Sequence, residues 1–243
     1  MTFQLIIFTC QIVLLLNQIH GCPFLDSKDA SVPSVSEGFH FHRNLRSNGA
    51  YTPGVCAKTN GAKAIENDAN ICSAYLHIKK DFSGIIPSTP IEKANLYGAA
   101  VRLAFHDAGE IDVTNSTDIM GPDGCLSSSS DNAGLVEDTS LVLTVIEPMW
   151  QAYCDKISRS DFWVLFAKLA LEFSDPSKSI QLDYQYGRHD KTVCEPNVER
   201  LPDAQYGMEM LQKVFVNQMG LTINDAGIII VFFFCFSLLF ICT

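Results

Sequence analysis

The sequence predicts an all-α fold. Strand-type alternation is scarce, apolar residues recur at helical intervals over several stretches, and one stretch opens on a complete capping signature, Thr89-Pro-Ile-Glu92. In chain order, residues 22–60 are rich in Ser, Gly, Asn and Pro without a sustained period and read as an irregular segment. His40 and His42 alternate there with Phe39 and Phe41 and are taken as loop residues. From Ala62 to Phe82 the residues Ile65, Cys72, Leu76 and Ile78 mark a first helix, which Ile85-Ile86-Pro87 ends. Thr89 caps a second helix, with Pro90 at its first position and Glu92 at its third. Further helices are expected over Leu135 to Tyr153, over Asp161 to Phe173 behind a Ser160 cap, and over Ala204 to Met219, stopped by Gly220.

A chain of 243 residues with 47% hydrophobic content has ample material for the core of one large helical domain. Its net charge of −10 and pI near 4.9, with no cluster of Lys and Arg, exclude a nucleic-acid surface. Residues 1–21 carry an apolar run from Leu5 to Leu16 and end in Gly21, the pattern of a signal peptide, so a secreted or extracellular location is expected. Six cysteines then precede the apolar tail: Cys22, Cys56, Cys72, Cys125, Cys154 and Cys194. An even number in an oxidising compartment predicts disulfides but leaves their pairing open. The absence of any Cys-x-x-Cys argues against zinc, and Asn115-Ser-Thr117 is a glycosylation sequon suited to an exposed loop. Residues 226–243 form an apolar tail with an uncharged run of about 17 residues, the lower limit for a bilayer span. Three readings of that tail stand: a membrane segment giving membrane association, a lipid-anchor signal, or a mispredicted end to the coding sequence.

The chemistry concentrates in Val101-Arg-Leu-Ala-Phe-His-Asp-Ala-Gly109. Arg102 and His106 stand four residues apart, which places a guanidinium and an imidazole on one helix face. Such a pair can take a proton from a small polar substrate and stabilise the negative charge that develops when a bond breaks. Downstream, in order, come Gly121-Pro-Asp-Gly-Cys125, Ser130-Asp-Asn-Ala-Gly-Leu135, Ile146-Glu-Pro148, Ile157-Ser-Arg-Ser-Asp-Phe162, Tyr186-Gly-Arg-His-Asp190 and Leu201-Pro-Asp-Ala204. Within Gly187-Arg-His-Asp190 the residues suggest a buried ion pair holding helices together, with His189 a bystander.

The order Arg-x-x-Phe-His-Asp followed by these landmarks resembles the plant, fungal and bacterial haem peroxidase superfamily over residues 89–225, a little over half of the chain. The resemblance implies a haem-peroxidase-like helical domain, preceded by residues 22–88, with the proximal half largely missing. It implies haem b as cofactor, with Phe105, Arg102 and His106 lining its distal side. His106 would move a proton from hydrogen peroxide to the departing oxygen, Arg102 would stabilise the charge on that oxygen, and Asn132 would accept a hydrogen bond from His106. Asp107, the Gly121 carbonyl and Asp123 resemble a calcium site of many secreted relatives, although Cys125 stands where the family has a serine. The family's proximal iron ligand is a histidine in the helix after the segment resembling Leu221 to Asp225. None of His20, His40, His42, His77, His106 and His189 lies there, so the proximal ligand is unknown. Counting from Asn224 puts Cys235 at that position. The function so implied is a haem-dependent peroxidase, in a form shortened at its C-terminus, that reduces hydrogen peroxide while oxidising a small organic reductant. The alternative is a non-catalytic, membrane-tethered peroxidase-like protein, anchored through residues 226–243, that uses its surface for interaction.

Overall fold

A computed structural model describes residues 54–116, 120–127, 132–195, 200–202 and 206–229. The signal-peptide segment, His40, His42, Cys22, Thr117, Ala204, Cys235 and the tail from residue 230 lie outside the described residues. Among the described residues there is no strand, and no helix is long and apolar enough to cross a membrane.

The first helix, α1 (Asp68–Ile85), starts six residues later than expected. The Asn67 side chain accepts a hydrogen bond from the Asn70 N–H at 2.9 Å and so fixes the start locally. Its buried stripe is Ile71, Ala74, Ile78 and Phe82, whereas Ile65 and Leu76 face solvent. α2 (Pro90–Gly109) opens as the capping signature requires. Thr89 Oγ1 accepts from the Glu92 N–H and donates to the Glu92 carboxylate at 2.6 Å.

The helix expected over Leu135 to Tyr153 is much shorter. Residues 133–140 are turns, and the Ser140 hydroxyl donates to the Leu135 carbonyl at 2.9 Å, which diverts a helical acceptor. A π-helical stretch, Val142–Ile146, then runs into α3 (Glu147–Gln151). At the junction the Glu147 N–H reaches back five residues to the Val142 carbonyl, and Pro148 has no N–H for the next bond. α4 (Arg159–Ser174) begins two residues before the expected start because Ser158, not Ser160, is its cap, accepting from the Asp161 N–H at 3.2 Å. The helix expected over Ala204 to Met219 likewise splits into α5 (Gly207–Leu211) and a π-helical stretch, Gln212–Gln218, the chain turns at Gly220 with φ +71°, and residues 223–229 are helical.

α4 is the central element. Of the twelve residues from Arg159 to Ala170 all but Val164 are buried, as suits a helix apolar on every side. It packs on α2 and on α1, and the three share one core in which Phe82 and Phe166 meet edge-on with ring centroids 4.8 Å apart. A second cluster of Leu201, Val214, Phe215, Met219, Leu221 and Ala226 packs against Phe105 and Ile111.

The N-terminus of α4 gathers several sequence landmarks. Arg188 pairs with Asp161 at 2.5 Å, while Asp190 accepts from the backbone N–H groups of Arg159 and Ser160 at 2.7 and 2.8 Å. The ion pair expected within Gly187-Arg-His-Asp190 is replaced by one to Asp161, because Asp190 is occupied by the start of α4. His189 is exposed. Glu147 pairs with Arg159 at 3.1 Å and accepts from Trp163 Nε1 at 2.8 Å, and the Arg159 guanidinium lies 4.0 Å over the Trp150 ring. Gly124 fits beneath this corner at φ +70°, where a Cβ would stand 3.1 Å from the Ser160 nitrogen. Cys56 and Cys154 have Cα atoms 5.5 Å apart, and Cys125 and Cys194 5.2 Å apart, both within disulfide reach.

Candidate functional site

The last two turns of α2 carry Arg102, Phe105, His106 and Asp107, and the turn after residue 131 brings Asn132 to them. Arg102 Nε donates to His106 Nε2 at 3.2 Å, and His106 Nδ1 lies 2.9 Å from Asn132 Oδ1. All three expected catalytic residues therefore meet in one hydrogen-bonded row. Asn132 is fully buried, and its amide nitrogen donates to the Ser127 carbonyl at 2.9 Å and to Glu110 Oε1 at 3.2 Å. Glu110 in turn accepts from the Ser127 N–H at 3.0 Å. With its nitrogen committed to those acceptors, Asn132 presents its oxygen to the imidazole. Nδ1 is then the protonated nitrogen and Nε2 the proton acceptor.

Electrostatics make this imidazole less basic than the Asn132 contact alone would. Burial first, and the Arg102 guanidinium second, push His106 down to about 3, against the opposing effect of the Asn132 hydrogen bond. The ring is thus neutral and able to accept a proton at any ordinary pH. Burial also lowers Arg102 from its usual value, against the pull of the Glu137 carboxylate. Gly134, at φ +84°, leaves room for the guanidinium: a Cβ there would come within 3.2 Å of Arg102 NH1. Phe105 stands edge-on to His106, with centroids 6.0 Å apart, and 6.2 Å from the Phe215 ring, so it links the site to the second apolar cluster.

Glu110, Ser127 and Gly134 were not among the residues expected from sequence. Glu110 follows His106 by four residues on the same helix face, a spacing that could have found it. Ser127 and Gly134 carry no local signal of this role.

The calcium reading finds no support. Asp107 is fully buried, and its two oxygens accept from the Asp123 and Gly124 N–H groups, each at 3.2 Å. Asp123 pairs with the Lys191 ammonium at 3.0 Å, and the Cys125 sulfur faces Cys194. Gly121 sits in the same turn at φ +132°. Each Asp107 oxygen is engaged by an N–H group, an ammonium stands beside Asp123, and among the described residues no cluster of three metal-ligating side chains forms. Haem fits better, since a neutral imidazole, a guanidinium and a phenyl ring bordering an apolar cluster form a distal face. The network around His106 includes neither His77, on α1, nor the exposed His189.

Comparison with known proteins agrees with the geometry. Residues 80–230 match the family described as Peroxidase. The chain is 35% identical over 130 residues to "L-ascorbate peroxidase 1, cytosolic" of Oryza sativa subsp. indica, covering 51% of this chain and 48% of that protein. It is 33% identical over 140 residues to "L-ascorbate peroxidase 2, cytosolic" of Oryza sativa subsp. japonica, covering 56% and 51%. To "L-ascorbate peroxidase 3" of Arabidopsis thaliana it is 32% identical over 136 residues, covering 56% and 45%. The chain spans about half the length of the curated relatives it matches.

Proposed function

Because the chain belongs to the haem peroxidase superfamily, we propose that it carries the peroxide-activating side of a peroxidase, reducing hydrogen peroxide to water with two electrons from a small organic reductant. The row Arg102–His106–Asn132, with its imposed tautomer, carries this reading. His106 Nε2 takes the proton from the oxygen of peroxide that stays behind and delivers it to the oxygen that leaves, so the leaving group is water rather than hydroxide. Arg102 stabilises the negative charge on the departing oxygen while the O–O bond lengthens, and Phe105 walls the site on its apolar side. Phe105, Arg102 and His106 would hold haem, which would supply the redox chemistry for O–O cleavage. The names of the relatives make ascorbate the first reductant to try. Peroxide-dependent oxidation of ascorbate or a phenolic dye that rises with the Soret absorbance of haem-reconstituted protein supports the reading. A full Soret band without peroxide turnover overturns it.

The two close cysteine pairs support an oxidising, extracellular location, whereas two of the relatives are named cytosolic. Few or no free thiols are expected among Cys22, Cys56, Cys72, Cys125, Cys154 and Cys194. Four or more labelled under denaturing, non-reducing conditions place the protein in a reducing compartment instead.

A further inference from the structure

The loop 121–125 lies directly beneath the end of α2 that presents His106, and something must hold it there. It brings two carboxylates together: Asp107, one residue after His106, and Asp123, with Glu110 and Asp190 adding negative charge nearby. Burial first, and Asp123 second, hold Asp107 well above its ordinary value, and a cation beside Asp123 relieves the cluster. We propose that the Lys191 ammonium is that cation, a covalently tethered counterion that fixes the loop against α2 and makes Lys191 a positioning residue for the His106 site, independent of any divalent ion.

Lys191 meets Asp123 at two points. Its backbone N–H donates to the Asp123 carbonyl at 2.8 Å, and its buried ammonium, which makes no hydrogen bond, stands 3.0 Å from Asp123 Oδ2 as an ion pair, the two side chains being 19% and 13% exposed. The other Asp123 oxygen accepts from the Cys125 N–H at 3.1 Å. Asp123 and Gly124 then donate their N–H groups to Asp107, so the force runs from Lys191 through the loop to the residue beside His106. The lysine is itself anchored on both sides. Asp190 is bonded to the N-terminus of α4, and Cys194 lies against Cys125. An ammonium attached at this point has a fixed stoichiometry and cannot be removed by chelation, whereas a bound ion can.

Thermal melting of the purified full chain tests this without peroxide or reductant, so the outcome is separable from the proposed activity. The wild type is expected to melt at the same temperature with EDTA and with millimolar calcium. Lys191→Met should melt roughly 3–8 °C lower, and Lys191→Arg should recover most of the loss. In the double variant Lys191→Met/Asp123→Asn the two losses should not add, because the second change removes the charge the first leaves unpaired. A wild-type melting point that falls on chelation or rises with calcium overturns the proposal. So does a Lys191→Met protein that melts with the wild type, or strict additivity in the double variant.

Discussion

His106→Leu is expected to slow the reaction of the haem-reconstituted protein with hydrogen peroxide by at least about 100-fold while haem uptake is retained. Leucine matches the bulk of the ring but accepts no proton, so the loss reports proton transfer rather than packing. Stopped-flow rates near wild type would remove His106 from the mechanism. Arg102→Leu should lower the rate by less, since charge stabilisation is one contribution and proton transfer continues. The two variants also differ in pH behaviour. In the wild type the imidazole is held down to about 3, so the rate should stay flat as the pH falls until that region. The second cause of that depression is the Arg102 cation. Without it the imidazole becomes more basic, is protonated at a higher pH, and the acid limb of the Arg102→Leu profile moves upward.

Glu147→Ala should destabilise the fold by about 4 kcal/mol, a large part of the roughly 5–15 kcal/mol that holds a domain folded. Glu147 and Arg159 are 3% and 2% exposed, so removing the acid takes from a buried guanidinium the carboxylate 3.1 Å away and from the Trp163 N–H the acceptor at 2.8 Å. The Trp150 ring under Arg159 and the Gly54 carbonyl that accepts from its guanidinium offset only part of this. The change should appear as a lower denaturant midpoint with an unchanged slope, and a loss under about 1 kcal/mol would contradict the assigned role. The Lys58–Asp155 pair at 3.4 Å is the contrast. Its side chains are 48% and 36% exposed, and Asp155→Ala should leave the midpoint where it was.

What was legible in the sequence depended on how local the physics was. The α2 cap involves residues three apart, and Arg102 and His106 share a face by helical geometry alone, so both could be read directly. The start of α4 could not. Ser158 and Ser160 are equally good caps by type, and the choice is made by Asp190, thirty residues on, which claims the Ser160 hydroxyl at 2.8 Å. The π-helical stretches keep an apolar pattern close enough to a normal helix that only the missing Pro148 N–H hints at a change of register. The resemblance to secreted relatives makes Asp107 and Asp123 calcium ligands, and in sequence a carboxylate looks alike whether it faces an ion or a lysine. The deciding residue, Lys191, lies far along the chain. The resemblance to a known family named His106, Arg102 and Asn132, but it could not show what orients Asn132.

That orientation amounts to a one-way instruction passed along three side chains. A free amide can turn over, exchanging its oxygen for its nitrogen, and the two faces are nearly the same shape. Here the Glu110 carboxylate has only acceptors to offer, so a turned amide would set oxygen against oxygen on one side and N–H against N–H on the other. The carboxylate and the Ser127 carbonyl together decide which way the amide points, the amide decides which nitrogen of the imidazole keeps its proton, and the reactive lone pair follows. A change at Glu110 to a side chain that can also donate would weaken this bias without abolishing it, because the Ser127 carbonyl still accepts from the amide nitrogen. Any fraction of the protein that turned its amide would lose the acceptor at Nε2 with every reacting atom still in place.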